Sequence, residues 1–463
     1  MDGDELGVSI DKLNKFYMKI VIAGTGEVGF HLAKLLADEA QDIYVIDTDE
    51  ERLKYLDQHL DVITLNGSAT SLKTLEMANV KNSDLFISVT SSEEANILSA
   101  IISKKLGAKY TIARIDNYEF IKNKDIMDFK ELGVDAFFSA KDLAAKEILR
   151  LMKQSALTDN FDFGDGKLSL IGIYLDSRSV LIDMTINESK KFNPEMNFMP
   201  VAILRNNKTI IPRGQTIFKK NDHIYFTTSQ EFIPHILKLC GKENIPIKNV
   251  MIMGGSSIGI LAAKLLQDQY NVKLIEMDRK KCMQLVEKLQ NTLVIHADGR
   301  EVELLENENL SEMDAFISLT GNSETNIIAC LSAKAHGVRK TIASVENIKY
   351  INLSQEIGVD TMINKKLIAA SNIFRHIRKG DVSNIASLHG VDAEIIEFTA
   401  KENTKITKSP IKDLNFPKSA IIGGVIRGEH VIFPLGQFQI IAEDHVIVIS
   451  FEEGVQVVEK FFH

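Results

Sequence analysis

The chain carries one long pattern twice. IVIAGTGEVGFHLAKLL from Ile20 returns as VMIMGGSSIGILAAKLL from Val250, and DLFISVTSSEEANI from Asp84 returns as DAFISLTGNSETNI from Asp314, both at an offset of 230 residues. Solenoid units repeat every roughly 20–50 residues, so a period this long signals duplication of a whole fold. A second pattern repeats at an offset of 222: TIIPRGQTIFKKNDHIYFTTS is echoed by VIFPLGQFQIIAEDHVIVIS, pairing Pro212 with Pro434, Gly214 with Gly436 and Asp222 with Asp444. The chain is therefore expected to run large, small, large, small.

Within the first long pattern, short β-branched runs (KIVIAG, IYVID, VITL, LFISVT, YTIARI, DAFFS) alternate with amphipathic segments. Six strands separated by helices predict an α/β fold with a doubly wound parallel sheet. The small pattern reads as a strand-rich α+β module, with LSLIGIYL, PVAILRN, IIPRG and HIYFTTS as strands and a helix near Glu231 to Leu239. The expected division is an extension over 1–17, large lobes over 18–154 and 243–382, and small lobes over 155–242 and 383–463. The small lobes could bind a second small ligand or serve in subunit contacts; exposed apolar strands such as AIIGGVI favour contacts.

Composition narrows the function class. A net charge of -9 argues against a nucleic-acid surface, which needs a clustered cationic face, and the stretch Lys401 to Lys412 reads as a solvated loop. Apolar runs such as Ser419 to Ile426 fall far short of the ~20 residues that span a bilayer. Cys240, Cys282 and Cys330 are scattered and odd in number, which suits reduced thiols rather than a disulfide framework or zinc site. The opening MDGDELGVSIDKLNKFY has no apolar signal core, and Met18 directly before the first strand suggests a start at Met18.

Gly24, Gly26 and Gly29 form GxGxxG between a predicted strand and a predicted helix, the context that makes this pattern informative. The first glycine permits the tight turn, the second lets the backbone approach a diphosphate, and the third allows close helix packing. Helix-terminal amides favour the anion. Asp47 closes the second strand, where a carboxylate accepts both ribose hydroxyls and repels a 2′-phosphate, favouring NAD(H) over NADP(H). A merely structural turn is the alternative. Thr90 and Ser91 follow the fourth strand on the ligand edge; either their hydroxyls face the nucleotide or Ser91 or Ser92 caps the next helix. Arg114, charged at the end of an apolar strand, expects an anionic partner: a ligand or interface phosphate, or an internal salt bridge.

The second copy keeps Gly254, Gly259 and Thr320 but replaces Gly26 by Ser256, Asp47 by Glu276, Ser91 by Gly321 and Arg114 by Ser344. It is expected to bind nucleotide differently and more weakly.

The duplicated order, with GTGEVG, VID, ISVTSSEEAN and the strand-rich modules, resembles the TrkA family over nearly the whole chain after Met18. That family comprises cytosolic nucleotide-binding subunits of bacterial Trk potassium-uptake systems. The resemblance implies tandem RCK domains, each a Rossmann lobe followed by a small lobe, and a regulator rather than an enzyme. It also implies NAD(H) binding, with ATP or ADP in related rings, and a homotetramer ring peripheral to the inner face of the membrane beneath a TrkH/TrkG-type potassium-translocating partner. Carried onto this sequence, the nucleotide contacts fall on Gly24, Thr25, Gly26, Glu27, Val28, Asp47, Thr90, Ser91 and Arg114. An NAD-dependent oxidoreductase is the rival reading. It lacks a nucleophile–base constellation here: His223, His235, His389, His430 and His445 are scattered singly, and His31 lies on the first helix.

Overall fold

The computed structural model describes residues 18–37, 42–117, 119–120, 128–153, 157–164, 166–206, 208–242, 246–347, 350, 357–377, 382–387 and 392–463; the expected 1–17 extension lies outside them. The chain forms two compact units. One runs to Leu143 and includes Lys366–Ile373; the other comprises Ala144–Lys365 and Phe374–His463.

In the first unit β1 (Lys19–Ala23), β2 (Asp42–Asp47), β3 (Ile63–Asn66), β4 (Leu85–Ser88), β5 (Tyr110–Arg114) and β6 (Ala136–Phe138) make one parallel sheet in the order β3-β2-β1-β4-β5-β6. Helices α1 (Glu27–Ala37), α2 (Glu50–His59), α3 (Leu72–Met77), α4 (Glu93–Leu106), α5 (Phe129–Leu132) and α6 (Ala140–Lys153) follow the strands. Ile20, Val21, Ile22 and Ala23 are fully buried, as a central strand covered on both faces requires. Strand order reverses between β1 and β4, so the chain leaves the sheet in opposite directions there and opens a crevice at the strand ends.

The second unit holds the other three modules. Strands β7 (Asp159–Phe163), β8 (Leu168–Tyr174), β9 (Phe198–Arg205), β10 (Lys208–Ile210) and β11 (His223–Thr228) form an antiparallel sheet ordered β10-β9-β11-β8-β7, with helices α7 (Ile186–Ser189) and α8 (Ile233–Leu239). The sequence reading missed β7, whose alternation is broken by Asp159, Asn160 and Asp162. It also extended β10 too far: Pro212 has no amide to donate to a ladder, and the strand stops at Ile210.

The second parallel sheet repeats the first, with β12 (Asn249–Met253), β13 (Asn271–Glu276), β14 (Thr292–His296), β15 (Ala315–Ser318), β16 (Lys340–Ser344) and β17 (Thr361–Ile363) ordered β14-β13-β12-β15-β16-β17. Its helices are α9 (Ser257–Leu266), α10 (Arg279–Lys288), α11 (Val302–Asn307) and α12 (Ser323–Ala335); α13 (Lys365–Ile377) follows β17 in the chain, but its Lys366–Ile373 stretch belongs to the first unit. The final sheet, β18 (Val382–Ser387), β19 (Glu394–Thr399), β20 (Ala420–Arg427), β21 (His430–Ile432) and β22 (His445–Ser450), repeats the first small sheet in order, and α14 (Val455–Phe462) closes the chain.

The two small sheets share one core. Leu168, Leu170, Val201 and Tyr225 of the first pack with Ile395, Ile426, Ile447 and Ile449 of the second. AIIGGVI, read above as exposed, is buried along most of β20, because its apolar face meets the other small sheet of the same chain. Each sheet carries a bulge at matching positions, Val201 on β9 and Gly423 on β20, 222 residues apart. The bulges meet: a Cβ on Gly423 would lie 3.0 Å from Val201 Cγ1 and 2.7 Å from Ile449 Cδ1, and the Gly423 carbonyl accepts the Thr227 hydroxyl at 2.6 Å. One of the two bulges can carry a side chain; both cannot. Gly423→Val is therefore expected to lower stability by about 1–2 kcal/mol through overpacking, read as a fall in the urea midpoint, and an unchanged midpoint contradicts the shared-core geometry.

Lys340, 3 % exposed at the start of β16, donates its Nζ to the Leu157 carbonyl at 2.9 Å and so ties the second parallel sheet to the segment entering β7. Burial, against the nearby Asp360 carboxylate, brings its pKa down from 10.5 to about 8. A lowered folded pKa means that the unfolded chain binds more protons between those values, so stability rises with pH in that window and the penalty is full below it. The difference in unfolding free energy between the native chain and Lys340→Met should change in favour of the native chain by about 2 kcal/mol from pH 8 to pH 10. A pH-independent difference contradicts the buried placement.

Candidate functional site

The first crevice is built by chain geometry before any side chain acts. β1 ends at Gly24, whose φ of +105° is accessible to glycine, and a Cβ there would press on the Thr90 backbone at 2.8 Å. A Cβ on Gly29 would run into the Gly24 carbonyl, so α1 crosses the strand end as closely as backbone permits. Gly26 differs: a Cβ there meets nothing within 4 Å. Its missing side chain serves no packing inside the chain, and it leaves an open approach to the start of α1. The Thr25, Gly26, Glu27, Val28 and Gly29 stretch thus presents a helix start, with Val28 buried beneath it. Amides of a first helical turn have no intrahelical acceptor, which suits an anion.

Asp47 closes β2 beside this loop. Its Oδ2 accepts the Thr25 amide at 2.5 Å and the Thr25 hydroxyl at 2.6 Å, while Oδ1 accepts the Asp49 amide at 2.9 Å. Partial burial works to raise this carboxyl, but the Thr25 and Asp49 hydrogen bonds outweigh it and hold Asp47 below the usual range, hence ionised.

Across the crevice, Thr90 and Ser91 follow β4. The Thr90 hydroxyl is engaged within the chain, by the Asn96 Oδ1 at 2.7 Å and the Ser92 carbonyl at 3.0 Å. Ser92, not Ser91, caps α4, accepting the Ala95 amide at 3.1 Å, so Ser91 stands exposed beside the helix start. Arg114 ends β5 with its Nε 3.6 Å from Asp116 Oδ2, a distance too long for a hydrogen bond, and Asp116 is shared with Lys141 at 3.5 Å.

Asn96 was not singled out from sequence, yet it organises this side. Fully buried on α4, it accepts from the Ser88 hydroxyl (3.0 Å), the Thr90 amide (2.8 Å) and the Thr90 hydroxyl, and donates to the Thr90 (3.3 Å) and Arg114 (3.0 Å) carbonyls. The ends of β4 and β5, neighbours on one side of the crevice, thus hang from one amide. Asn326 repeats every role, holding Ser318, Thr320 and the Ser344 carbonyl. The signal was present: an asparagine kept in both copies of a helix face otherwise filled by small and apolar residues. Asn96→Ala should destabilise the first lobe by about 2 kcal/mol, since it strands the part-buried Thr90 amide and removes an acceptor of the buried Ser88 hydroxyl, and should weaken nucleotide binding with it. Amide exchange at Thr90 that stays as slow as in the native chain argues against that role.

The second crevice is a rebuilt copy. Gly254 keeps the left-handed turn at φ +103°, and Gly259 again faces the preceding carbonyl. Ser256 caps α9 by accepting the Gly259 amide at 3.2 Å, so one helix-start amide is already engaged. Glu276, longer than Asp47 by a methylene, accepts the Gly255 amide at 3.0 Å and the Asp278 amide at 2.9 Å. Gly255 stands where the first copy has Thr25, and a Cβ there would come within 2.9 Å of Glu276 Oε2. The two changes compensate. The larger acid fits because the loop residue beside it lost its side chain. Lys281 Nζ lies 2.9 Å from the same Oε2; burial raises the Glu276 carboxyl, but the Asp278 amide and Lys281 outweigh it, leaving its pKa lowered.

The family described as the TrkA-N domain matches residues 20–140 and 250–365, and the TrkA-C domain matches 170–241 and 395–463. The chain belongs to the TrkA family. Among TrkA-family relatives, it is 34% identical over 452 residues to the Trk system potassium uptake protein TrkA of Haemophilus influenzae, covering 96% of this chain and 98% of that one. It is 30% identical to TrkA homolog 1 of Methanosarcina mazei, over 96% of this chain and 100% of the relative. Among solved structures the GsuK RCK domain aligns with a TM-score of 0.60 at 14% identity, covering 97% and 96% of the two chains. The GsuK channel bound to NAD aligns at 0.61 and 13%, covering 97% of this chain and 79% of that one. At such identities the likeness establishes the RCK fold. Among the described residues no helix is long and apolar enough to cross a membrane.

A cavity of about 550 Å³ lies elsewhere, between the two small sheets, where the repeated turns Pro212-Arg213-Gly214 and Pro434-Leu435-Gly436 face it.

Proposed function

We propose that this TrkA-family chain is the nucleotide-sensing regulatory subunit of a Trk potassium-uptake system and that its first Rossmann lobe binds NAD(H), with ATP or ADP competing there. The observation that carries the reading is the contrast among the loop glycines: Gly24 and Gly29 are required by packing, whereas Gly26 is open to solvent and has no packing reason to be glycine. A diphosphate at the start of α1 supplies the reason, and ionised Asp47 takes the ribose hydroxyls. Ser91 and Arg114 border the same crevice and reach the phosphate side. Gly254, Ser256, Gly259, Glu276 and Thr320 form the weaker second site, and the division into lobes follows the sequence reading at residues 154, 242 and 382.

The chain acts by binding rather than by chemistry. His31, close to the loop, is lowered to about 4 by burial and by Lys34 and Lys366, which leaves it neutral at neutral pH. Four chains supply eight Rossmann lobes to a ring on the cytoplasmic face of a TrkH/TrkG-type membrane subunit. A ligand that spans the β1–α1 turn, Asp47 and the end of β4 shifts the ring only through its difference in affinity between ring states. The cavity between the small lobes gives room for a second ligand, beside their role in contacts.

The test is potassium flux through liposomes holding the membrane subunit and this chain, with NADH, NAD, ATP or ADP added. Flux should differ between ligands, with a matching change in ring dimensions by small-angle scattering. Identical flux and an unchanged ring for all four would sink the regulatory reading, and steady NADH oxidation would favour the oxidoreductase.

A further inference from the structure

The adenosine end of the second crevice differs from the first by a concerted set of changes. In the first lobe α2 opens with Glu50-Glu51-Arg52, and Arg52 turns outward to Asp49 at 3.0 Å. In the second, α10 opens with Arg279-Lys280-Lys281, and Lys281 turns inward onto Glu276. Three consecutive cations in a first helical turn run against the helix dipole and so disfavour the helix unless an anion is nearby. Asp278, the cap of α10, accounts for two amides of that turn, at 2.8 and 3.1 Å, and Glu276 is met by Lys281; Arg279 and Lys280 remain exposed.

Two further replacements lie at the same end. Thr48, after Asp47, becomes Met277, 63 % exposed, an apolar thioether on the rim where an adenine ring would lie. Asn66, whose amide holds the Thr48 carbonyl at 3.3 Å, becomes His296, whose Nε2 holds the Met277 carbonyl at 3.1 Å. Acidic and neutral groups are thus replaced by cationic, aromatic or apolar ones around a carboxylate that already carries a lysine.

We propose that the second Rossmann lobe takes an adenine dinucleotide bearing a 2′-phosphate, NADP(H), with Lys281 offsetting Glu276 and Arg279 and Lys280 receiving the phosphate. This rests on the reading of that crevice as a nucleotide site. A carboxylate at the ribose repels a 2′-phosphate, as Asp47 does in the first lobe; paired with Lys281, Glu276 loses that veto, and the remaining ammonium and guanidinium donors form charge-assisted bonds to phosphate oxygens. Ser256 narrows the approach to the diphosphate that Gly26 leaves open, and offsets this in part: while its oxygen accepts the Gly259 amide, its hydroxyl hydrogen is free to donate to a phosphate oxygen. The two lobes of one chain thereby report on two different dinucleotide pools.

The test is calorimetric titration of the full-length chain carrying Gly26→Asp, which silences the first lobe, with NADPH and with NADH. NADPH is expected to bind at least about tenfold more tightly than NADH, and Lys280→Ala with Lys281→Ala should remove that preference. Arg279→Ala with Lys280→Ala, which leaves the Glu276–Lys281 pair intact, should lower NADPH affinity about tenfold and leave NADH unaffected, which guards against an effect of misfolding. NADH binding equal to or tighter than NADPH overturns the proposal while the site itself stands. Binding of neither overturns both.

Discussion

Gly26→Asp is expected to lower NADH affinity at the first lobe by at least about 100-fold, some 2.7 kcal/mol, while the thermal midpoint of the chain stays within about 2 °C. Binding and folding separate here because of where the glycine sits. Its φ is outside the left-handed range in which Gly24 lies, so an L residue is tolerated, and its Cβ would project into open space. An aspartate at the start of α1 even favours the helix dipole in the empty protein. Once a diphosphate approaches, the same carboxylate opposes it in space and in charge. Gly29→Ala makes the contrast: its methyl meets the Gly24 carbonyl, so stability and binding should fall together. Titration and melting of both variants give the answer, and a Gly26→Asp chain that still binds NADH at near-native affinity removes the diphosphate from this loop.

The fold was largely readable because strand and helix periods, glycine placement and two offsets all agreed. Both parallel sheets and both antiparallel ones lie where the repeats put them. The errors share a cause: local pattern was silent about partners. β7 looks polar because Asp159 and Asn160 are used inside while Asp162 is exposed, Asp159 accepting the buried Tyr225 hydroxyl at 3.2 Å. AIIGGVI looked like an exposed surface because the sequence does not say that the two small sheets of one chain cover each other. In the crevices, glycines and acids stood out by spacing, whereas Asn96 and Lys281 act through contacts 18 residues and 5 residues away in sequence, which a motif does not encode. Comparing the copies recovers them. The Thr25–Asp47 and Gly255–Glu276 exchange is interpretable only as a pair.

The same comparison points to the largest loss of stability expected in the small lobes, from Arg205→Ala. Asp222, identified in the 222-residue repeat, has a side chain 1% exposed and is met by the Arg205 fork, Nε to Oδ1 at 2.7 Å and Nη2 to Oδ2 at 2.6 Å. Its Oδ2 also accepts the Lys219 amide at 2.8 Å, and its carbonyl accepts the Leu175 amide at 2.9 Å, so the pair fastens the turn before β11 to the ends of β8 and β9. Arg427 and Asp444 repeat the fork at 2.7 and 2.7 Å in the second small lobe. Removing the guanidinium leaves a buried carboxylate with no counter-charge, a loss of about 3–5 kcal/mol, whereas removing both partners costs much less because the desolvated charge disappears with them. Arg205→Lys keeps the charge but not the fork and should fall between. Amide exchange at Leu175 and Lys219 reads the effect locally, without requiring a multi-lobed chain to unfold in one step. Arg205→Ala should speed both amides by at least about 100-fold, the double variant with Asp222→Leu by far less, and equal acceleration in the two would show that the pair acts by packing rather than by charge.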